Sequence, residues 1–229
     1  MIHIYQRHCN VSSNSVGKSR PEWFSREGCF QNLLKTTSKH KNIKITIMFD
    51  GEPNKDHFIN KYNSDFYELV KREGGDDARS FLNVVNYVAE QNLPEDDIVY
   101  FLEDDYMHTH NWVDTMLEGF NQMSLDYLTL YDHSDKYFLP MYENLTSKIF
   151  TTSKHHWRTT PSTCGSFIIS KDIFEEDFID HTTIVGDHNK FLQLTQTKNR
   201  FVLTPIPGLS THCMEGLLSP TINWQQINS

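Results

Sequence analysis

Three apolar runs constrain how this chain can fold. Ile2–Tyr5, Ile43–Phe49 and Asp97–Leu102 are short, rich in β-branched or aromatic residues, and bounded by polar turns. A polar stretch, SSNSVGKSRP, follows the first run. Helical spacing then appears between the runs. Trp23, Phe24, Phe30, Leu33 and Leu34 predict a helix over Pro21–Leu34. Phe66–Val70 adds a further strand. Phe81, Val84, Val85 and Val88 predict a helix from the Gly74-Gly75-Asp76-Asp77 turn to about Glu90, with Asp76 or Asp77 as its cap. Strands alternating with helices predict an α/β fold, a largely parallel sheet with helices on its faces.

After a helix over Trp112–Phe120 the rhythm changes. Strands are expected at Tyr127–Tyr131, Lys148–Thr152, Gly165–Ser170 and Phe201–Leu203, and helices at Lys171–Phe178 and Asp187–Leu194. The tail beyond Pro205 reads as loop. No repeat or low-complexity linker divides the 229 residues, so one domain is expected.

Thirty acidic side chains against 21 Lys and Arg exclude a general nucleic-acid binder, which needs a basic surface to displace counterions. Cys9, Cys29, Cys164 and Cys213 are scattered, with no CxxC pair, and are expected to be reduced thiols. The opening MIHIYQRHCN is too short an apolar stretch for a signal peptide, and no run approaches the ~20 apolar residues of a membrane span. These features predict a cytoplasmic protein without a transmembrane segment. The sequons at Asn10 and Asn144 read as chance matches.

The run IVYFLEDDY poses the functional question. A buried strand leads into Glu103, Asp104 and Asp105, and such close like charges repel unless something positive sits among them. In a parallel sheet, ligands collect at the carboxyl ends of strands. Clustered carboxylates there suit a hard divalent cation, Mg²⁺ or Mn²⁺. A solvated turn capping the next helix is the other reading.

The run, set behind a βαβαβ half, resembles the GT-A glycosyltransferases of the family-2-like, nucleotide-sugar-dependent group. Their DXD metal motif follows an apolar strand in mid-domain. The resemblance implies one GT-A domain, with 1–106 as the nucleotide-sugar half and 107–229 as the acceptor half with a C-terminal flap. It implies a ribose role for Glu103, a donor contact for Asp104 and a metal role for Asp105, although Glu in the first position departs from the usual motif. Tyr5 and Arg7 stand where such enzymes begin the nucleotide pocket. Asp50 resembles the acid that contacts the base, and also fits a simple Asp-Gly turn. Gly75 and Arg79 lie in the turn expected to wrap base and ribose, with Arg79 toward a phosphate.

In the second half, Gly165 lets backbone approach a ligand closely, and the resemblance implies a place beside the donor sugar. His155-His156-Trp157-Arg158 reads either as an acceptor edge or as an edge strand with one packed Trp. Asp187 is the candidate catalytic base or a helix cap, with Glu175, Glu176 and Asp177 as fallback acids. His212 is the candidate second metal ligand, and Glu215–Pro220 a flap. The implied cofactors are Mn²⁺ or Mg²⁺ and a nucleotide-diphosphate sugar, a UDP-sugar favoured. The implied acceptor is a glycan, lipid-linked or small hydroxyl compound, with inversion at the anomeric carbon. Alternatives are a metal-dependent phosphohydrolase or nucleotidyltransferase, for which SSNSVGKSR is a weak echo of a triphosphate loop, and a non-catalytic sugar-binding module.

Overall fold

The computed structural model describes residues 1–12 and 15–227, so Ser13 and Asn14 of the SSNSVGKSRP loop lie outside the described residues. In chain order the elements begin β1 (Ile2–Cys9), α1 (Arg26–Thr37), β2 (Ile43–Asp50), β3 (Glu68–Arg72), α2 (Asp77–Glu90) and β4 (Ile98–Glu103). They continue with β5 (Tyr106–His108), α3 (Trp112–Gln122), β6 (Tyr127–Leu128), α4 (Asp135–Phe138), β7 (Ile149–Thr151), β8 (His156–Thr159) and β9 (Phe167–Ser170). The last are α5 (Lys171–Glu176), α6 (Phe178–Thr183), α7 (Asp187–Leu192), β10 (Val202–Ile206), β11 (Ser210–His212) and α8 (Trp224–Ile227).

Among the described residues, nine strands form one mixed sheet in the order β3-β2-β1-β4-β9-β6-β10-β8-β7. The first four run parallel, so their carboxyl ends share one edge. Register aligns Arg7 with Glu103 and Cys9 with Asp50 along that edge. β9 returns antiparallel against β4 and β6.

Both faces of this half are covered, which is why its strands read as unbroken apolar runs. Ile4, Ile47, Tyr100 and Leu102 pack with Phe30, Leu33, Trp112 and Met116, from α1 and α3. Tyr5, Met48, Val99 and Phe101 pack with Phe81, Val84, Val85 and Val88 of α2 and with Phe174 and Phe191.

Four expectations change. Helix α1 starts at Arg26 rather than Pro21, because Ser25 Oγ accepts the Gly28 N–H at 2.9 Å and fixes the start there. The helix expected over Lys171–Phe178 breaks in two at Asp177. The tail beyond Pro205 is not all loop: β11 pairs antiparallel with β5, immediately after the acidic triplet. The acceptor-edge reading of His155–Arg158 also fails. β8 lies between β10 and β7, and Trp157 is fully buried, its Nε1 donating to Thr152 Oγ1 at 3.1 Å. Arg158 is buried too, paired with Asp132 Oδ1 at 2.6 Å.

Candidate active site

Each acid of the triplet meets its own arginine. Glu103 Oε1 accepts from Arg7 Nη2 at 3.0 Å, and Arg7 Nη1 reaches Asp77 Oδ1 at 3.0 Å. Asp104 Oδ2 lies 3.3 Å from Arg26 Nε. Asp105 Oδ2 accepts from Arg20 Nη2 at 2.7 Å and contacts His212 Nε2 at 3.0 Å. The β5–β11 pairing sets Tyr106 opposite His212, and their rings stack at 5.2 Å. The tail strand therefore carries His212 back to the triplet.

Burial and pairing separate the three carboxyls. Burial raises Glu103, with Arg7 opposing. Burial pushes Asp104 up to about 7 despite Arg26, with Asp105 and Glu103 adding to the rise. Burial alone would raise Asp105 as well, but His212 and Arg20 override it and hold that carboxyl below the usual range.

The triplet floors a cavity of about 150 Å³, lined also by Arg7, Ser15, Lys18, Arg26, Asp50 and Gly75. Lys18 has no side-chain hydrogen bond or ion pair among the described residues. Asp50 holds the opposite wall, accepting the Gly74 N–H at 2.7 Å and the Gly75 N–H at 3.0 Å. Gly75 has φ +81, a conformation glycine permits cheaply.

A second cavity of about 400 Å³ adjoins the first, sharing Arg7, Asp76 and Asp77, and is lined by Asp187 and Lys190. Asp187 follows Gly186, whose φ is +82, and its Oδ1 lies 3.6 Å from the Lys190 ammonium. Its charge acts on both Arg7 and Glu103. Asp187 thus stands on the triplet side of the fold.

Gly165 packs where no side chain fits easily. A Cβ there would lie 3.3 Å from Arg7 Nη2 and 3.4 Å from Glu103 Cδ. Gly165→Ala is expected to push the Arg7–Glu103 pair aside and destabilise the protein by about 1 kcal/mol, at the low end of overpacking costs. Urea denaturation checks this, and an unchanged midpoint would show that the pair yields freely.

Other expected site residues fall elsewhere. Tyr5 is buried in the core, edge-on to Tyr87, rather than in the cavity lining. Arg79 is largely exposed, 3.5 Å from Asp76 Oδ2, and does not line the cavity. The fallback acids sit at the other end of β9: Glu175 pairs with Lys171 and Glu176 with Arg200. Asp177 is fully buried, accepting from Tyr127, Lys198 and Arg200. Sequence reasoning missed Arg20, Arg26 and Lys18. The repulsion within the triplet was the available signal, since it demands nearby cations, but nothing in the sequence says which ones.

The pair Asp105 and His212 suits a divalent ion. Asp105 Oδ1 is buried with no hydrogen-bond partner among the described residues, a carboxylate oxygen free to ligate. Among the described residues no group of three or more His, Cys, Asp or Glu side chains is gathered for a metal. One or two protein ligands suffice for an ion that also takes waters and phosphate oxygens.

No protein-family profile and no curated protein matches the sequence. Solved structures do match in shape. TarS 1–349 of S. aureus superposes with TM-score 0.55 at 9% identity, covering 89% of this chain and 57% of that one. A mannosyltransferase of Pyrobaculum calidifontis, in complex with GDP-Man and Mn²⁺, gives TM-score 0.58 at 10% identity over 89% of this chain and 54% of that one. The fold is GT-A-like. The chain spans a little over half the length of these two structures. A third GT-A-like match is a CMP:2-keto-3-deoxy-manno-octonic acid synthetase complexed with CTP, at TM-score 0.51 and 13% identity, over 90% of this chain and 92% of that one. No helix among the described residues of this GT-A-like chain is long and apolar enough to cross a membrane.

Proposed function

We propose that the protein is a glycosyltransferase that moves a sugar from a nucleotide-diphosphate donor to a hydroxyl acceptor, with inversion. The observation that carries this is the convergence of Asp105 and His212 at the end of β4, where Asp105 lines a cavity whose neighbour holds Asp187. The GT-A-like fold supports it, since the mannosyltransferase of that shape holds a nucleotide sugar and Mn²⁺.

In this reading residues 1–106 bind the donor and 107–229 the acceptor. The Gly74–Gly75 turn, held by Asp50, forms the floor for base and ribose, and Glu103 takes the ribose. Lys18 and Arg26 meet the phosphates. Asp187 accepts the proton of the acceptor hydroxyl as its oxygen attacks the anomeric carbon, and the glycosidic electrons leave with the nucleoside diphosphate. Mn²⁺ or Mg²⁺, held by Asp105 and His212, would offset the charge that develops on the leaving group.

One observation favours a second reading, nucleotidyl transfer. Lys18 comes from the loop that is a weak echo of a triphosphate grip, it lines the cavity without a side-chain partner among the described residues, and a synthetase of this fold was solved with CTP.

Melting with UDP-, GDP- and dTDP-sugars and with CTP, each with and without Mn²⁺, tests both. A ligand at a hundred times its Kd stabilises by about 2.7 kcal/mol, a rise of roughly 5–10 °C for a domain this size. One sugar nucleotide should raise the wild type with Mn²⁺ and leave Asp105→Ala unmoved. A rise with CTP alone would favour nucleotidyl transfer. No rise with any of them would sink both readings.

A further inference from the structure

Arg20 sits against the carboxylate of Asp105, the acid read above as a metal ligand. Its Nη2 lies 2.7 Å from Asp105 Oδ2, the oxygen that His212 Nε2 also contacts at 3.0 Å, while Oδ1 has no partner. Two further contacts keep the guanidinium there. Nη1 donates to Cys213 O at 2.7 Å, and Cζ sits 4.6 Å over the Phe24 ring. The preceding residue is tied down as well: Ser19 Oγ donates to Glu215 Oε2 at 2.5 Å, and Glu215 N–H donates to Ser19 O at 3.0 Å. The Cys213 N–H in turn donates to Asp105 O at 2.9 Å, so Arg20, Asp105 and Cys213 form one closed ring of contacts. A side chain merely folded over an acid on the surface would have none of this support.

We propose that Arg20 is a built-in cation of the site, which competes with a divalent ion for Asp105. This rests on the reading of Asp105 and His212 as the metal pair, and names the residue that sets how tightly that pair binds. In the ligand-free protein Arg20 neutralises Asp105 and keeps the β4 turn assembled. A divalent ion arriving at Oδ1 meets a fixed positive charge across the same carboxylate, in a buried setting where screening is weak. Its affinity is lowered by that repulsion. Negative phosphate groups on a donor relieve it, so ion and donor bind more tightly together than either does alone.

The test is Mn²⁺ binding without nucleotide, followed by the paramagnetic resonance signal of the free ion. Arg20→Gln is expected to bind Mn²⁺ at least tenfold more tightly than the wild type. Arg20→Lys, which keeps the charge and loses the fork, should stay within about threefold of the wild type, an outcome that a purely structural role for Arg20 does not produce. Adding His212→Ala to Arg20→Gln should return the affinity to the wild-type level or below. If Arg20→Gln fails to fold by circular dichroism, Phe24→Leu decides instead: it removes the ring beneath the guanidinium and should tighten Mn²⁺ binding severalfold. Equal or weaker Mn²⁺ binding by Arg20→Gln, or by Phe24→Leu in its place, or no binding by any of the proteins, overturns the proposal. Failure of the donor reading shows separately, as absent melting shifts in the wild type while the Mn²⁺ series still follows Arg20.

Discussion

Lowering the pH from 8 to 5 is expected to cost the protein about 3 kcal/mol of stability, a large part of what a single domain has. The main cause is three histidines folded in as neutral rings, with His133 and His57, also lowered by burial, acting in the same direction. His8, His108 and His181 are almost completely buried, and burial pushes each down to about 3. For a group depressed on folding, the stability is fully present above its unfolded value of about 6.5 and is lost as the pH falls toward its folded value. Each unfolded imidazole takes up a proton that the native state refuses, at about 1.4 kcal/mol per pH unit, so the three together lose about 6 kcal/mol by pH 5. Asp104 works in the opposite sense. Held up at about 7, it binds a proton in the native state before the unfolded chain does, and returns about 3 kcal/mol over the same range. Urea midpoints at pH 8, 6.5 and 5 measure the net loss. His181→Phe should remove one proton from the slope, because that ring already lies 5.3 Å from Phe167 and nearly parallel to it. A slope untouched by this change would mean that the ring is protonated in the folded protein.

The second large effect concerns turnover. Asp187→Asn is expected to lower kcat by about 10²–10⁴-fold, the usual contribution of a positioned general base, with donor affinity little changed. The amide keeps the shape and removes the proton acceptor. Lys190, buried and 3.6 Å from Asp187 Oδ1, would lose its charge partner, so the melting point of the variant must be recorded beside its rate. Donor binding in the melting assay separates a lost base from a lost pocket. A fall in kcat of less than tenfold would leave Asp187 as the start of α7 and nothing more.

Much of the parallel half was legible in the sequence. Strands buried on both faces announce themselves as continuous apolar runs, and Asp76 stands as the cap of α2, its Oδ1 accepting the Arg79 N–H at 2.8 Å. The meeting of Asp105 with His212 followed from the resemblance of the EDD run to a known motif, not from periodicity. What stayed hidden depends on the chain returning to itself. Arg20 and Arg26 sit in and beside a polar loop with no repeating pattern, and their partners are 85 and 78 positions away. β5 and β11 have three residues each, too few to carry an alternating signal. Trp157 read either as an acceptor face or as a packed ring, because a strand seen in isolation does not reveal which neighbours will cover it. Asp177 read as a fallback catalytic acid, but Tyr127, Lys198 and Arg200 close around it.

The ring of contacts joining Arg20, Asp105 and Cys213 bears on the order in which the chain is made. Its members come from the first tenth of the sequence, the middle and the last tenth. A ribosome releases them in that order, so the strands of the parallel half can pair while Asp105 still lacks its histidine. Nascent chains arrested before residue 212 would carry the sheet edge and the acidic triplet but not the contacts of Asp105 with His212 and of Arg20 with Cys213. Of the three, the segment with His212 and Cys213 emerges after the others and completes these contacts.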